Sequence, residues 1–293
     1  MAAYQTGILQ EVPSVARYLT FSLIAGTNPL ETLRRLAEQS DGQSLVIGLG
    51  RSLLLTLGAE INALKNFPVH VGAGIEVPST PAALWCWLRA EDRGDLVHQT
   101  HQLCDLLADA FECESVLDAF KHDGGRDLTG YEDGTENPEG EEAIHVAFVR
   151  GEGEGMDGSS FVAVQTWLHD FSLFNAMTQE QQDNSIGRRK SDNEELDDAP
   201  LSAHVKRTAQ EDFTPEAFLL RRSMPWTDAS GEGLQFVAFD RSFDSFEAQL
   251  KRMVGEDDGI SDALFRFTRP ITGCYFWCPP MKAGQLDLSA LGL

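Results

Sequence analysis

ARYLTFSLIA, Ala16–Ala25, sets the reading of the whole chain, together with the segments on its C-terminal side. Apolar residues there are interrupted by Arg17, Tyr18 and Thr20, a pattern that reads as a strand. Thr27-Asn28-Pro29 ends it. Asn28 is placed to cap a helix and Pro29 to occupy its first position. Leu30, Leu33, Leu36 and Ala37 then recur at helical spacing. Gln43–Leu49 is a second short strand and Ala82–Ala90 (AALWCWLRA) a third. From Asp95 onward Leu96, Val97, Leu103, Leu106 and Leu107 mark another helix, and Cys113–Ala119 closes the unit. The order is βαββαβ, a ferredoxin-like unit.

The second half repeats the order. Ser160–Leu168 (SFVAVQTWL) is a strand, Asp170–Gln182 a helix, Ala217–Arg222 a short strand and Leu234–Asp240 another strand. Ser242–Val254 is a helix with Phe243, Phe246, Leu250 and Met253 on one face, and Ile271–Trp277 is the last strand. The expected class is therefore α+β with antiparallel sheets, built as two ferredoxin-like units, residues 1–145 and 146–293. Their boundary lies in Glu139–Gly158, which contains GEGEG (Gly151–Gly155), a flexible run or a hairpin tip. No G-x-G-x-x-G follows the first strand and no P-loop is present, which argues against dinucleotide and nucleotide folds. The polar stretch from Gln181 to Lys206 is long for a compact domain, so it is either functional or disordered.

Composition narrows the function. The chain has 293 residues, 42% hydrophobic and 24% charged, with a formal charge of −23. That is a globular composition. So acidic a chain repels nucleic acid and anionic lipid, and neither is expected as a partner. No apolar run approaches the ~18 residues of a membrane helix. The N-terminus lacks a basic segment before an apolar core, so no export signal is read there. Five cysteines at scattered spacings make no disulfide framework, which points to a reducing, cytoplasmic compartment.

Three places can carry chemistry. Gly130-Tyr131-Glu132-Asp133-Gly134-Thr135-Glu136-Asn137-Pro138 sets an Asp between glycines that allow close backbone approach to a flat ligand. The same dipeptides also make an ordinary solvated turn. His204 ends the long acidic loop before Lys206-Arg207, or is simply a loop histidine. Arg221-Arg222-Ser223-Met224-Pro225 ends an apolar strand, so one arginine points inward and needs an anionic partner such as Asp133 or a ligand carboxylate. Otherwise the pair sits on an edge-strand surface. His98, His101 and Cys104 share a helical face, but no C-x-x-C supports zinc there. His70, His122, His145 and His169 have no partner pattern.

In combination these segments resemble the dye-decolorizing peroxidases, specifically the B-type bacterial haem peroxidases. The G-x-x-D-G motif of that family is matched by Gly130, Asp133 and Gly134. Ile186-Gly187-Arg188-Arg189-Lys190, Glu195-Leu196-Asp197-Asp198 and His204 match its I-G-R-x-K segment, acidic stretch and proximal histidine. Leu220-Arg221-Arg222-Ser223-Met224-Pro225 matches its arginine segment. Gln5–Leu9 and Phe267–Gly273 also fit, so the likeness runs along nearly the whole chain.

The resemblance implies haem b (iron protoporphyrin IX) in the C-terminal unit, with His204 as axial ligand to the iron. Asp262 is the candidate carboxylate behind that imidazole. Asp133 matches the distal base and Arg221 the distal arginine, which together would cleave peroxide and leave a ferryl haem. Arg188 is expected at a haem propionate, with Gly134, Thr135 and Ser223 as further cofactor contacts. Glu132, beside the base, is expected to face outward. Ser223 stands where some relatives have Asn. The implied activity is oxidation of dyes, phenolic or porphyrin-like donors by hydrogen peroxide. Tyr131, Trp167, Trp226 and Trp277 are candidates for relaying electrons from bulky donors, although a core role is favoured for each. The competing readings are a haem or porphyrin carrier, which would use His204 but not Asp133 or Arg221, and a cofactor-free binding module. The resemblance further implies a homo-oligomer, a dimer or larger, and allows an encapsulating shell protein to dock on the C-terminal Leu288–Leu293. Packing of that tail on its own domain is favoured.

Overall fold

The computed structural model describes residues 3–72 and 74–293. Its elements run β1 (Val15–Leu23), α1 (Leu30–Gln39), β2 (Leu45–Leu49), α2 (Arg51–Thr56), β3 (His70–Gly72), β4 (Ile75–Val77), β5 (Leu84–Ala90), α3 (Arg93–Leu107), β6 (Phe111–Phe120) and α4 (Gly140–Ala147). The second half continues with β7 (Ser160–His169), α5 (Phe171–Ala176), α6 (Gln179–Ile186), α7 (His204–Arg207), β8 (Leu220–Arg221), β9 (Met224–Asp228), β10 (Gly231–Asp240), α8 (Asp244–Met253), β11 (Thr268–Pro270), β12 (Cys274–Cys278), β13 (Met281–Lys282) and β14 (Gln285–Leu286).

Eight strands close on themselves. The ring runs β7-β12-β2-β5-β1-β6-β9-β10 and returns to β7, and every pairing is antiparallel. The first half contributes β2-β5-β1-β6 and the second β12-β7-β10-β9. Two seams join them, each a single residue pair: Trp277 opposite Leu49 and Ala119 opposite Trp226. β11 and β8 extend the sheet beside β7 and β10.

Strand alternation sorts the side chains. Tyr18, Trp85, Trp87, Trp226, Phe239 and Phe276 point inward and fill the barrel. Trp85 stacks on Phe276 at 6.0 Å and Trp87 on Phe239 at 6.2 Å. Such pairs add about 0.5–1.5 kcal/mol beyond their burial. Residues of opposite parity, among them Phe21, Ile47, Leu84, Phe161 and Trp277, face outward and are covered by apolar stripes of α1, α3 and α8.

Several expected elements change. Asn28 does accept the Leu30 N–H, at 3.1 Å, but Pro29 takes the cap position one residue later than expected. The helix expected over Asp170–Gln182 is two helices. Thr178 and Gln181 form a reciprocal capping box, which ends one run and starts the next. The strand expected over Ala217–Arg222 contracts to β8. The expected linker Glu139–Gly158 opens with α4, whose Ala143 and Ala147 are buried against the inner core. The strand expected last is followed by the β13–β14 hairpin, and Leu286, Leu288 and Leu291 are buried in the outer core. The C-terminal tail therefore packs on its own chain. Among the described residues no helix is long and apolar enough to cross a membrane.

Asp240, at the end of β10, gives the fold a pH dependence. One carboxylate oxygen accepts the Arg241 N–H at 2.6 Å, and the other has no partner among the described residues. Burial pushes this carboxyl up to about 6, against weaker opposing pulls from Ser245 and Arg241. The folded state thus binds the proton more tightly than the unfolded chain, whose Asp titrates near ~3.9. Stability from this group is full below pH ~4 and is lost as pH rises through 6, a fall of about 3 kcal/mol. Asp240→Asn should therefore match the wild type in thermal melts near pH 4 and melt several degrees higher at pH 8. Equal melting points at pH 8 would refute this.

Candidate active site

The outward face of β7 and β10 is not fully covered by helices. Gln165, Trp167 and His169 on β7, with Leu234 and Phe236 on β10, form the floor of a cavity. Its walls are mostly apolar, from Ile186, Phe246, Leu250, Met253, Leu264 and Phe267. The apolar lining suits an organic cofactor. The same cavity is lined by Asp133, His204 and Arg221, so the fold brings together the three residues expected to carry chemistry.

His204 opens α7, and the long polar stretch serves to place it. α6 ends at Gly187, which has φ +94°. A Cβ at that position would come within 2.2 Å of Val205, so only glycine lets the end of α6 meet the Ala203–Val205 turn. Arg207 anchors the other side of α7, donating to both Asp258 oxygens at 2.7 and 2.8 Å and to the Arg252 carbonyl. His204 Nδ1 lies 2.7 Å from Asp262 Oδ2, and Asp262 is fully buried. A carboxylate only accepts, so Nδ1 carries the hydrogen. The other Asp262 oxygen accepts the Leu264 N–H at 2.8 Å, which fixes the carboxylate. Nε2 is left with its lone pair and no partner among the described residues.

Three carboxylates line the cavity, and their hydrogen bonds separate them. Asp127 holds three donors: His169 Nε2 lies 3.0 Å from one oxygen, and Thr129 donates its N–H and hydroxyl to the other. Burial pushes its pKa up, but the His169 and Thr129 bonds outweigh that and hold it below the usual carboxylate range. Glu132 is half-exposed and takes Arg126 at 2.7 Å and Asn193 at 2.9 Å. It was expected to face outward, yet it lines the cavity rim, with its carboxylate held by these two donors. The Asp133 carboxylate accepts no hydrogen bond from any described residue. It projects from a turn in which Gly134 has φ +77° and a Cβ would strike the Asn137 amide at 2.7 Å. Asn137 in turn accepts the Arg221 N–H at 2.8 Å and donates to the Arg221 carbonyl at 3.1 Å. That side chain locks the Asp133 turn to β8.

The cations separate in the same way. Arg221 has no carboxylate within ion-pair distance among the described residues, and its buried Nε is unpartnered. Arg126 and Arg188 both have acid partners. Arg188, expected at a propionate, does not line the cavity. Its guanidinium is taken by Glu136 at 2.6 Å and Glu195 at 3.2 Å. Thr135 is exposed and bonds Asn193. Gly134 and Ser223 line an adjoining groove that meets the cavity at Asp127, Asp133, Arg221 and Leu234. Tyr131, Trp167, Trp226 and Trp277 are all buried, and Tyr131 and Trp167 line the cavity. Tyr131 bonds Asp183, and burial raises its phenol well above its ordinary pKa.

His169 and Asp127 were missed by sequence reading. His169 Nδ1 bonds Thr268 Oγ1 at 2.7 Å while Nε2 meets Asp127, which pins the end of β7 to β11 and to the Asp133 segment. The signal was available: Gln165, Trp167 and His169 share one strand face at period two.

Residues 124–283 match the family model for "Dyp-type peroxidase, C-terminal". A dye-decolorizing peroxidase of Mycolicibacterium paratuberculosis is 32% identical over 222 residues, which is 74% of this chain and 63% of that protein's length. The crystal structure of a dyp-type peroxidase from Shewanella oneidensis superposes with a TM-score of 0.88 at 29% identity, covering 99% of this chain and 98% of that one. A variant of Rhodococcus jostii DypB solved in complex with haem superposes with a TM-score of 0.84 at 26% identity, covering 93% and 94%. The family model spans more than half of the sequence and the solved structures follow it almost end to end, so the chain belongs to the dye-decolorizing peroxidase family.

Proposed function

We propose that the cavity binds haem b and that the protein is a haem-dependent peroxidase acting on organic donors, dyes and phenols among them. One observation carries the reading. A histidine nitrogen with a free lone pair shares an apolar cavity with the only unbonded carboxylate among the described residues of its walls, and with an arginine that has no acid partner there. The residues fit the group. Gln165 Nε2 and Arg221 Nε are buried in the cavity wall without acceptors, and the solved Rhodococcus relative holds haem.

His204 Nε2 would hold the iron, and its Nδ1–H bond to Asp262 would fix the ring and raise its basicity. Bound haem supplies the oxidising equivalents taken from peroxide, which donors then consume one electron at a time. Asp133 takes the proton from one peroxide oxygen and returns it to the other, while Arg221 stabilises the negative charge that develops on the departing oxygen. The apolar walls exclude water, which strengthens both effects. A haem carrier would need His204 alone. The free Asp133 and Arg221 in the same cavity favour the peroxidase.

Haem titration of the protein, followed by one equivalent of hydrogen peroxide, tests this. A saturable spectrum at one haem per chain, a rapid change with peroxide and its reversal by a phenol are expected. Bleaching without turnover would favour a carrier, and no binding would refute both. Asp262→Asn should lower haem affinity or peroxide turnover by about 10–100-fold, because the amide no longer accepts the Nδ1–H as strongly. A variant within twofold of wild type in both would remove Asp262 from the mechanism.

The strand orders β2-β5-β1-β6 and β12-β7-β10-β9 support two ferredoxin-like units, residues 1–145 and 146–293, fused into one barrel with haem on the second. Five free cysteines, three of them buried, fit a reducing cytoplasmic setting. A homo-oligomer remains part of the proposal; a shell protein docking on the tail does not gain support, since Leu288 and Leu291 are buried.

A further inference from the structure

Two of the five cysteines stand together, and neither lines the cavity. Cys104 lies near the end of α3 and Cys113 near the start of β6. Between them the chain turns back, with the Ala110 N–H donating to the Leu107 carbonyl at 3.0 Å. A bulge sets which way Cys113 points. Thr20 on β1 pairs with Ser115 and Phe21 with Cys113, so Glu114 has no partner in the register. Cys113 therefore shares the outward face of Phe21, on which α3 packs. Without the extra residue Glu114 would take that place.

The two thiols are hydrogen-bond partners. Both are reachable: Cys113 is exposed and Cys104 partly so, whereas Cys86, Cys274 and Cys278 are buried. Cys113 Sγ also lies 3.7 Å from the Ser115 carbonyl, across the bulge. Arg17 stands beside the pair, held by Asp118 and by Thr100, one turn before Cys104. Burial pushes both thiols up. For Cys104 the bond from Cys113 and the charge of Arg17 oppose that push, while for Cys113 its neighbour adds to it. Cys104 is thus the better nucleophile and Cys113 the more open to solvent. An exposed thiol in a protein that meets hydrogen peroxide is oxidised stepwise, and the steps beyond sulfenic acid are irreversible. A second thiol in contact diverts the first product.

We propose that Cys104 and Cys113 form a reversible disulfide within the chain when hydrogen peroxide oxidises them. The Cys113 sulfur bonds one peroxide oxygen, the O–O bond breaks, and the departing hydroxide leaves as water with the thiol proton. The Cys104 sulfur then attacks the resulting sulfenic sulfur. The S–S bond forms, the S–O bond breaks, and a second water carries off the Cys104 proton. Two thiols thereby give two electrons and two protons to one peroxide. The bond staples α3 to β6 and spares Cys113 from irreversible oxidation. The reaction uses no residue of the cavity and stands whether or not the cavity holds haem.

Peptide mass mapping of the full chain tests it. Both cysteines fall on one tryptic peptide, Gly94–Lys121, which contains no other cysteine. After millimolar hydrogen peroxide this peptide should be lighter by two hydrogens and closed to alkylation, and dithiothreitol should reverse both changes. Diamide, a thiol oxidant that does not act through haem, should give the same product. Cys104→Ser should instead show Cys113 gaining oxygen that dithiothreitol does not remove. A wild-type peptide unchanged by both oxidants would overturn the proposal. So would Cys113 gaining oxygen as fast in wild type as in Cys104→Ser, or a disulfide that joins two chains or runs from Cys104 to Cys86.

Discussion

His204→Gly should fold, yet lose haem on gel filtration and with it at least ~100-fold of peroxide turnover. That exceeds the ~10–100-fold that loss of a ligand's hydrogen-bond partner costs, because the ligand itself is gone. The fold should survive because little of α7 hangs on this side chain. Arg207 still grips Asp258 and the Arg252 carbonyl, and the Thr208 hydroxyl still reaches the His204 carbonyl. Asp262 loses one partner but keeps the Leu264 N–H, so the stability loss should stay near ~1–3 kcal/mol. The glycine leaves a ring-sized space beside a buried carboxylate. Added imidazole should enter it, donate to Asp262 and restore haem binding at millimolar concentration. Retained haem and turnover in His204→Gly without imidazole would remove His204 as ligand. Loss that imidazole cannot reverse, in a variant with an unchanged melting point, would mean that the space does not admit the ring.

The range of each interaction set how much of it was legible in the sequence. β1 is read from polar residues interrupting an apolar stretch, and β5, β7 and β10 from short apolar runs, local signals strong enough to give position and type. The repeat of βαββαβ was visible because each half folds largely on itself. Closure into a barrel was not, because it depends on two single-pair seams between residues far apart in sequence. The break between α5 and α6 is local and was present in Thr178 and Gln181, but the apolar spacing of Phe171, Phe174 and Met177 masked it. His204, Asp133 and Arg221 share one cavity, and Asp262 does stand behind His204. Motif order led to them; spacing alone left each open. Arg188 has partners that no motif names. Its motif position suggests a propionate, and the pairing of its guanidinium with Glu136 and Glu195, from two other segments, was not legible there. Partner choice among surface charges is decided in three dimensions.

Asp133→Asn should cut the rate of reaction with hydrogen peroxide by about 10²–10⁴-fold, the usual contribution of a positioned general base. The reason lies in the census of acceptors. Asp127 already holds three donors, from His169 and Thr129. Glu132 holds Arg126 and Asn193. Only Asp133 keeps both oxygens free, on a turn that Gly134 and Asn137 hold rigid against Arg221. An amide in its place preserves the shape and can still accept a hydrogen bond, but it cannot take the proton. Stopped-flow mixing of the haem-loaded variant with peroxide should therefore show slow reaction at unchanged haem affinity. Glu132→Gln, one residue away, should stay within about twofold of wild type, because its carboxylate is already occupied by Arg126 and Asn193. If Asp133→Asn reacts at the wild-type rate while Glu132→Gln or Asp127→Asn is slow, the base is misassigned. If all three react normally, Arg221 carries peroxide cleavage without a carboxylate base, and Arg221→Leu should then show the larger loss.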